Sequence, residues 1–546
     1  MKYHGLAVRS LLGLAAALVL GGQLLADGPV EAPVGDPVRA LQSQAIADGQ
    51  ASWGHWGYDP GNYRAWGTHS NRLIPVYTFG MNLDRVRGEN SPYRDEARLT
   101  ELYGRVPENT LNPSADYFDQ TDIYRLQKQA VEAGKKRVIL MVFDGMDWQT
   151  TWAAATFKAG RVAYREGRGT GLHFQDYRGA QTDYGYMVTA PHNEGTQVDV
   201  DGQVLLNPGG TMRGGYDFTR AGLTPWARPS DAAYIIGKSS EMPHPYVDSA
   251  ASATAMTTGV KTYNDSINVG PDGKQAPSIA HQLQEKGWAV GVVTSVPISH
   301  ATPGAAYGHN VSRDDYQDIT RDLLGLPSVS HKKDPLPGLD LLIGAGWGAE
   351  SQADSKQGRN FVPGNRYLTA EDLYQINAEH GGAYQVVQRT AGVVGPTALK
   401  EAAKIAKEKD RRLFGFFGVK YGHLPFRTAD GSYNPTTGRG KAEEYTQADL
   451  VENPSLADMA TVALNYLAHR NPDGFWLMIE AGEVDWANHD NNIDNSIGAV
   501  ISGDKAFRAV TEWVEANGGW ADTAVILTAD HGHYLVLEQP EALVRD

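Results

Sequence analysis

The chain has no cysteine among its 546 residues. Disulfides are therefore excluded, and so is a lipid anchor carried on cysteine; stability has to rest on core burial and on bound ions. Positive charge is in deficit as well, with 49 Lys and Arg against 64 Asp and Glu and a formal net charge of −15. A surface of that sign argues against nucleic acid or an anionic membrane as partner. An anionic substrate would need local cations or metal ions to override the global field. Long apolar runs are confined to the N-terminus, where Lys2 and Arg9 precede the stretch Leu11 to Leu20 and Ala26 ends it before Asp27. This layout predicts a secretory signal over 1–26, too short for a membrane span. The expected protein is exported, periplasmic or secreted, with no membrane span after signal removal.

What is present reads as a large globular protein, 41% hydrophobic and 21% charged. Residues 27–118 are rich in Gly, Pro, Trp, Tyr and Asn and read as loops, apart from WGTHSNRLIPVYTFG (Trp66 to Gly80), which ends in a strand-like run. Helical spacing of apolar residues from Thr121 to Lys136 leads into VILMVFDG at Val138. Six apolar residues in a row predict a fully buried parallel strand with Asp144 at its C-terminal end, the edge where ligands sit in open α/β sheets. The pattern repeats at WAVGVVTS, LDLLIGAG, LFGFFGV, FWLMIEAG and AVILTADH, with helical stretches at Ser278 to Glu285, Thr397 to Lys407 and Ser455 to Ala468. Such alternation predicts an α/β domain over 119–546, built on a large, mostly parallel, doubly wound sheet with helices on both faces. The Gly-rich interval of about 183–245 lacks periodicity and reads as an insertion shaping the approach to a site.

Metal-binding residue types collect at the strand ends: Asp144 after one, Glu480 in another, and Asp530, His531 and His533 after the last. Asp485 and His489 lie four apart, so one helical turn would put both on one face. A lone Asp at a strand end also reads as a helix cap, and an Asp/His pair at that spacing as a solvated pair. Together the acidic groups would repel one another without cations. The segment HATPGAAYGHNVSR adds His300, the Thr302 hydroxyl and the Arg313 guanidinium, which matches phosphate geometry with two parallel hydrogen bonds; Thr302-Pro303 equally suits a helix start. In YVDSAASATAMTTGVKT, Asp248 and Ser249 precede small residues that can start a buried helix, a plausible seat for a nucleophile, although serine there is also an ordinary N-cap.

These phrases, VDSAASATAMTTGVKTY, the Asp-Gly after the first parallel strand, HATPGAAYGHNVSR, IEAGEVDWANHDNN and LTADHGH, resemble the alkaline phosphatases in order and character from about Val138 to His533. The resemblance implies a phosphomonoesterase with two zinc ions and one magnesium, acting on small phosphate monoesters and releasing inorganic phosphate. It implies Ser249 as nucleophile, Asp248 as its neighbour in the metal network and Arg313 as the clamp on phosphate. One zinc would be held by Asp144, Asp530 and His531 beside Ser249, the second by Asp485 and His489, and magnesium by Asp144, Thr302 and Glu480, with His300 tuning the magnesium site. A homodimer is left open. Alternatives are a phosphodiesterase or sulfatase-like hydrolase of the same superfamily, or an inactive metal- or phosphate-binding protein. Ser249 with Arg313 favours the monoesterase, and sulfatase chemistry needs a modified Cys or Ser in another motif.

The chain departs from the family in one respect. The family brings a further histidine to the second zinc from a phrase well beyond the TADH strand, and His533 to Asp546 holds no such phrase. GTHSNRLIPVYTFG resembles it, which makes His69 the expected replacement, on an N-terminal strand in place of a C-terminal one. His533 and His423 are the fallback ligands.

Overall fold

Consecutive apolar runs form the middle of one sheet. The computed structural model describes residues 36–237, 244–434 and 436–544; the expected signal at 1–26 lies outside them. In chain order the strands of the main sheet are β1 (Ile74–Phe79), β2 (Phe118–Asp119), β3 (Arg137–Phe143), β4 (Thr182–Val188), β5 (Ala289–Pro297), β6 (Leu341–Ala345), β7 (Tyr384–Gln388), β8 (Arg412–Phe416), β9 (Phe475–Ala481) and β10 (Thr523–Thr528). They lie in the order β7-β8-β6-β5-β9-β3-β10-β1-β4-β2. From β7 to β10 every pairing is parallel. β1 runs antiparallel to both β10 and β4, and β2 runs parallel to β4. The fold is thus the mixed α/β, mostly parallel sheet that the alternation of strands and helices predicts.

Each apolar run quoted from the sequence lies in a strand, and β5, β6, β9 and β10 are buried along their whole length. Such strands lose water on both faces, which favours unbroken Val, Ile, Leu and Phe. β4 (TDYGYMV) and β7 (YQVVQ) mix polar residues with apolar ones, because they lie towards the two margins of the sheet and are partly exposed. Periodicity therefore passes over both. The interval of 183–245 opens inside β4; past Val188 its described residues form only two-residue strands and four-residue helices.

The helices that matter for the site are α1 (Asp122–Glu132), α2 (Trp148–Ala159), α3 (Ser249–Thr258), α4 (Ile279–Gln284), α5 (Ala301–Ala305), α6 (Tyr316–Leu324), α7 (Gly395–Glu408), α8 (Leu456–Arg470), α9 (Glu483–His489) and α10 (Ile493–Ala516). One layer joins α7 to α8, α8 to α10 and α10 to α2; the other joins α1, α4 and α5 to α3. The expected capping box of α8 is present, Ser455 accepting from the Asp458 N–H and Asp458 accepting from the Ser455 N–H. Among the described residues no helix is long and apolar enough to cross a membrane.

Candidate active site

Four neighbouring parallel strands, β5, β9, β3 and β10, end on one side of the sheet and carry the chemistry. Val142 of β3 pairs in register with Glu480 of β9 and with Thr528 of β10. Asp144 and Asp530 therefore emerge side by side, two residues beyond a shared rung. Neither caps a helix; Asp147 does that for α2, accepting from the Thr150 N–H at 2.9 Å.

Ser249 is the first residue of α3, and its cap is Asp248, which accepts from the Ala251 N–H at 2.9 Å. The N-cap reading of the serine thus falls to its neighbour, which leaves the Ser249 hydroxyl free of capping. α3 is buried at every position and, apart from Met256, carries only small side chains: Ser252 donates to the Asp530 carbonyl at 2.7 Å, and at the C-cap a Cβ on Gly259, left-handed at φ +76°, would stand 2.6 Å from Tyr124. Thr302 is not a cap either. α5 starts at Ala301 with His300 at its N-cap, so Thr302 lies inside the first turn and its Oγ1 has no hydrogen-bond partner.

His531 is the hub. Its Nε2 lies 3.2 Å from Ser249 Oγ, 3.3 Å from Asp144 Oδ1 and 3.4 Å from Asp530 Oδ2. All four residues are essentially buried. One imidazole nitrogen cannot satisfy three oxygens, and both Asp144 oxygens, Asp530 Oδ2 and Glu480 Oε1 lack hydrogen-bond partners. Burial and the neighbouring Asp530, Asp485 and Glu480 push the Asp144 carboxyl well above its ordinary range. Burial raises Asp530 to about 7 and Glu480 to about 8, although Glu480 accepts from the Thr294 hydroxyl. Carboxylates so crowded stay charged only beside cations.

A second group surrounds Asp485 on α9. Its Oδ1 lies 2.8 Å from His533 Nε2, 3.4 Å from His489 Nε2 and 3.8 Å from His69 Nε2. His69 Nε2 is 3.2 Å from His489 Nε2, and its ring stacks on that of His531 at 3.7 Å. Burial pushes Asp485 up, but the surrounding His489, His533 and His531 hold it well below the carboxylate range. His69 and Ser70 form a short antiparallel ribbon with Gly532 and His533, and the Val247 carbonyl engages His69 Nδ1 at 2.8 Å. The carbonyl fixes Nδ1 as the N–H and leaves Nε2 to ligate, the arrangement that orients metal-binding imidazoles. His423 does not join: it pairs with Glu443, and its ring stacks on Phe426 beside Trp486.

The donors fit metal ions. Oxygen and imidazole donors about 3.3 Å apart match the edge of a tetrahedron around an ion bound at about 2.0 Å, close to the His531 spacings above. Asp144, Asp530 and His531 form one buried candidate group, and His69, Asp485, His531 and His533 another. Asp144, Glu480 and Thr302 supply only oxygens, the donor type of magnesium.

An open cleft of about 690 Å³ is lined by Ser249 together with His300, Arg313, His69 and His489. Arg313 donates to Asp248 Oδ2 at 3.0 Å, and its backbone N–H donates to the Asp265 carbonyl. Burial works against its charge, but Asp248 and Tyr316 more than offset that and raise its pKa. His300 lies against Trp486 at 5.8 Å between ring centres, and burial with the nearby Arg313 lowers it to about 3. The sequence reading misses Asp265, Tyr316, Lys356 and Trp486, which also line the cleft. Lys356 pairs with Asp314 at 2.8 Å from a segment with no motif, so nothing in the sequence marks it.

A family model described as alkaline phosphatase matches residues 233–541. Among curated relatives, alkaline phosphatase 3 of Bacillus subtilis (strain 168) is 29% identical over 303 residues, 55% of this chain and 52% of that protein. Alkaline phosphatase of Escherichia coli (strain K12) is 28% identical over 317 residues, 56% of this chain and 62% of that protein. The matches thus span about half to three fifths of these relatives' length. A solved alkaline phosphatase from the Antarctic bacterium TAB5 aligns with 73% of this chain and 80% of its own at 19% identity and a TM-score of 0.42. Of the candidate metal, catalytic and phosphate-binding residues expected from the sequence, Asp144 and His69 lie outside the matched segment 233–541.

Proposed function

The chain belongs to the alkaline phosphatase family, and from that premise we propose that it is an exported phosphomonoesterase that hydrolyses small phosphate monoesters through a phosphoserine at Ser249. The observation that carries this reading is the convergence of Ser249 Oγ, Asp144 and Asp530 on His531 Nε2 at 3.2 to 3.4 Å, below a cleft that also presents Arg313. A protein that only stores ions or phosphate has no use for a serine hydroxyl at that point.

Asp144, Asp530 and His531 would hold one zinc, Asp485, His489 and His69 a second, and Asp144, Thr302 and Glu480 a magnesium. When bound, such ions supply positive charge that lowers the serine pKa and stabilises the departing alkoxide. The chain does the positioning. α3 directs Ser249 Oγ at the phosphorus in line with the leaving oxygen. The Arg313 guanidinium grips two non-bridging oxygens, and Asp248 keeps it aimed while capping α3. His300 and Trp486 form the cleft wall beside the magnesium ligands. Displacement of the alcohol leaves phosphate on Ser249 Oγ, and water then releases it as inorganic phosphate, so two in-line displacements suffice with no further covalent chemistry.

The test is Ser249→Ala with p-nitrophenyl phosphate. Turnover is expected to fall by more than about 10³-fold, and acid quench of the wild type should trap phosphate on Ser249. Turnover that survives in Ser249→Ala sinks the mechanism. Faster cleavage of bis-p-nitrophenyl phosphate than of the monoester would assign the chain to the diesterases instead.

A further inference from the structure

Away from the cleft, His309, Asp322 and His331 bring one ligand atom each to within 4.8 Å of one another. They come from three pieces of chain: the loop that leads to Arg313, helix α6, and the segment that follows it. None of the three lines the cleft.

The hydrogen bonds fix the chemistry of this group. His309 Nε2 lies 3.1 Å from the carbonyl oxygen of Ala276. A carbonyl only accepts, so Nε2 carries the proton and Nδ1 carries the lone pair. That Nδ1 is buried without a hydrogen-bond partner among the described residues, in a residue only 5% exposed. A buried acceptor with nothing to accept is costly. An imidazole that donates one nitrogen to a backbone carbonyl and holds the other bare is arranged as metal-binding histidines are. Asp322 Oδ2 accepts from the backbone N–H of His309 at 2.9 Å, and Oδ1 lies 2.9 Å from His331 Nδ1, so the carboxylate ties the His309 backbone to the His331 imidazole. The rings of His309 and His331 are 5.2 Å apart, and His281 stacks on the other side of His309 at 5.1 Å. The His331 side chain is 11% exposed, so the group lies just beneath the surface.

We propose that His309, Asp322 and His331 form a separate structural site for a zinc-type divalent ion. Two imidazoles and one carboxylate suit zinc over magnesium or calcium, which favour all-oxygen sites. The ion would tie the base of the Arg313 loop to α6, holding the guanidinium's support rigid from behind. The inference does not depend on the phosphatase reading, since no cleft residue takes part.

The experiment counts zinc in the desalted, zinc-reconstituted full chain. His331→Ala is expected to carry about one ion fewer than wild type, and the same decrement should persist in an Asp485→Ala background, whose own loss reports the cleft. In that background, the rise in melting temperature on adding zinc should be smaller without His331 than with it. Equal counts with and without His331 overturn the site. So does a decrement that disappears in Asp485→Ala, which would assign the ion to the cleft. Should His331→Ala not fold, Asp322→Asn keeps an acceptor for the His309 N–H and must show the same loss; an unchanged count there overturns the proposal too.

Discussion

His69, the replacement ligand expected from the sequence, and His533, a fallback, both stand in the cluster around Asp485. His69 precedes the first apolar strand by a few residues, and only its resemblance to a phrase from the other end of the family marks it; in the structure its Nε2 is 3.2 Å from that of His489. His533, a fallback ligand on sequence grounds, makes the shortest contact with Asp485, 2.8 Å. If His69 completes the second zinc, His69→Ala should lose about one zinc per chain and at least about 10²-fold in turnover, with ion counting and p-nitrophenyl phosphate kinetics as the measures. Unchanged zinc and turnover would remove His69 from the mechanism. Asp144, Glu480 and Asp530 can be placed from the sequence because the apolar strands that carry them are plain, and Ser249 and Asp485 because helix starts follow such strands or small-residue runs; each alone also reads as a cap or a solvated group, and only their grouping sets them apart. Lys356 and Asp265 are not, because their place at the cleft depends on how segments distant in sequence close over it; Trp486 is carried there by α9 next to Asp485, and an aromatic in that helix has no motif of its own.

At the scale of elements, the central strands and long helices follow from apolar runs and spacing, since burial on both faces leaves a strong pattern. The marginal strands β4 and β7 do not, because exposure dilutes it. Helix starts depend on single residues: Asp248 and His300, not Ser249 and Thr302, stand at the N-caps, and one residue of offset changes a capping hydroxyl into a free one. The turn from β3 to α2 is equally exacting. Gly145 adopts φ +71°, and a Cβ there would stand 2.8 Å from the His533 ring and 3.1 Å from the Asp485 backbone. Gly145→Ala is expected to cost about 1–3 kcal/mol by strain and overpacking, read as a lower denaturation midpoint, and to weaken zinc retention because both neighbours belong to the cluster. Wild-type stability and zinc affinity in this variant would contradict the crowding.

Across the whole molecule, buried charge links stability to ions and to pH. Chelation should lower the melting temperature and restored zinc should recover it, because uncompensated carboxylates at the ends of β3, β9 and β10 repel in the middle of the sheet. A melting temperature indifferent to chelator would mean that these groups are neutral or hydrated without ions. Asp315 gives a separate signature. Burial and Asp318 raise its carboxyl from 3.8 to about 8, so the folded chain keeps a proton that the unfolded chain releases. On this group's account stability falls as pH rises from about 4 to about 8 and then levels off. Asp315→Asn, which keeps an acceptor for the Asn310 amide, should melt higher than wild type at pH 9 and close to it at pH 5; parallel melting curves at both pH values would disprove the link. The ribbon that joins Ser70 to His533 also governs when the candidate site can close. Ser70 reaches the His533 carbonyl across 463 positions of chain, so a ribosome must deliver His533 before the first residues of the site can meet the last. Contacts this remote in sequence close slowly, so the cluster around Asp485 is expected to assemble late in folding.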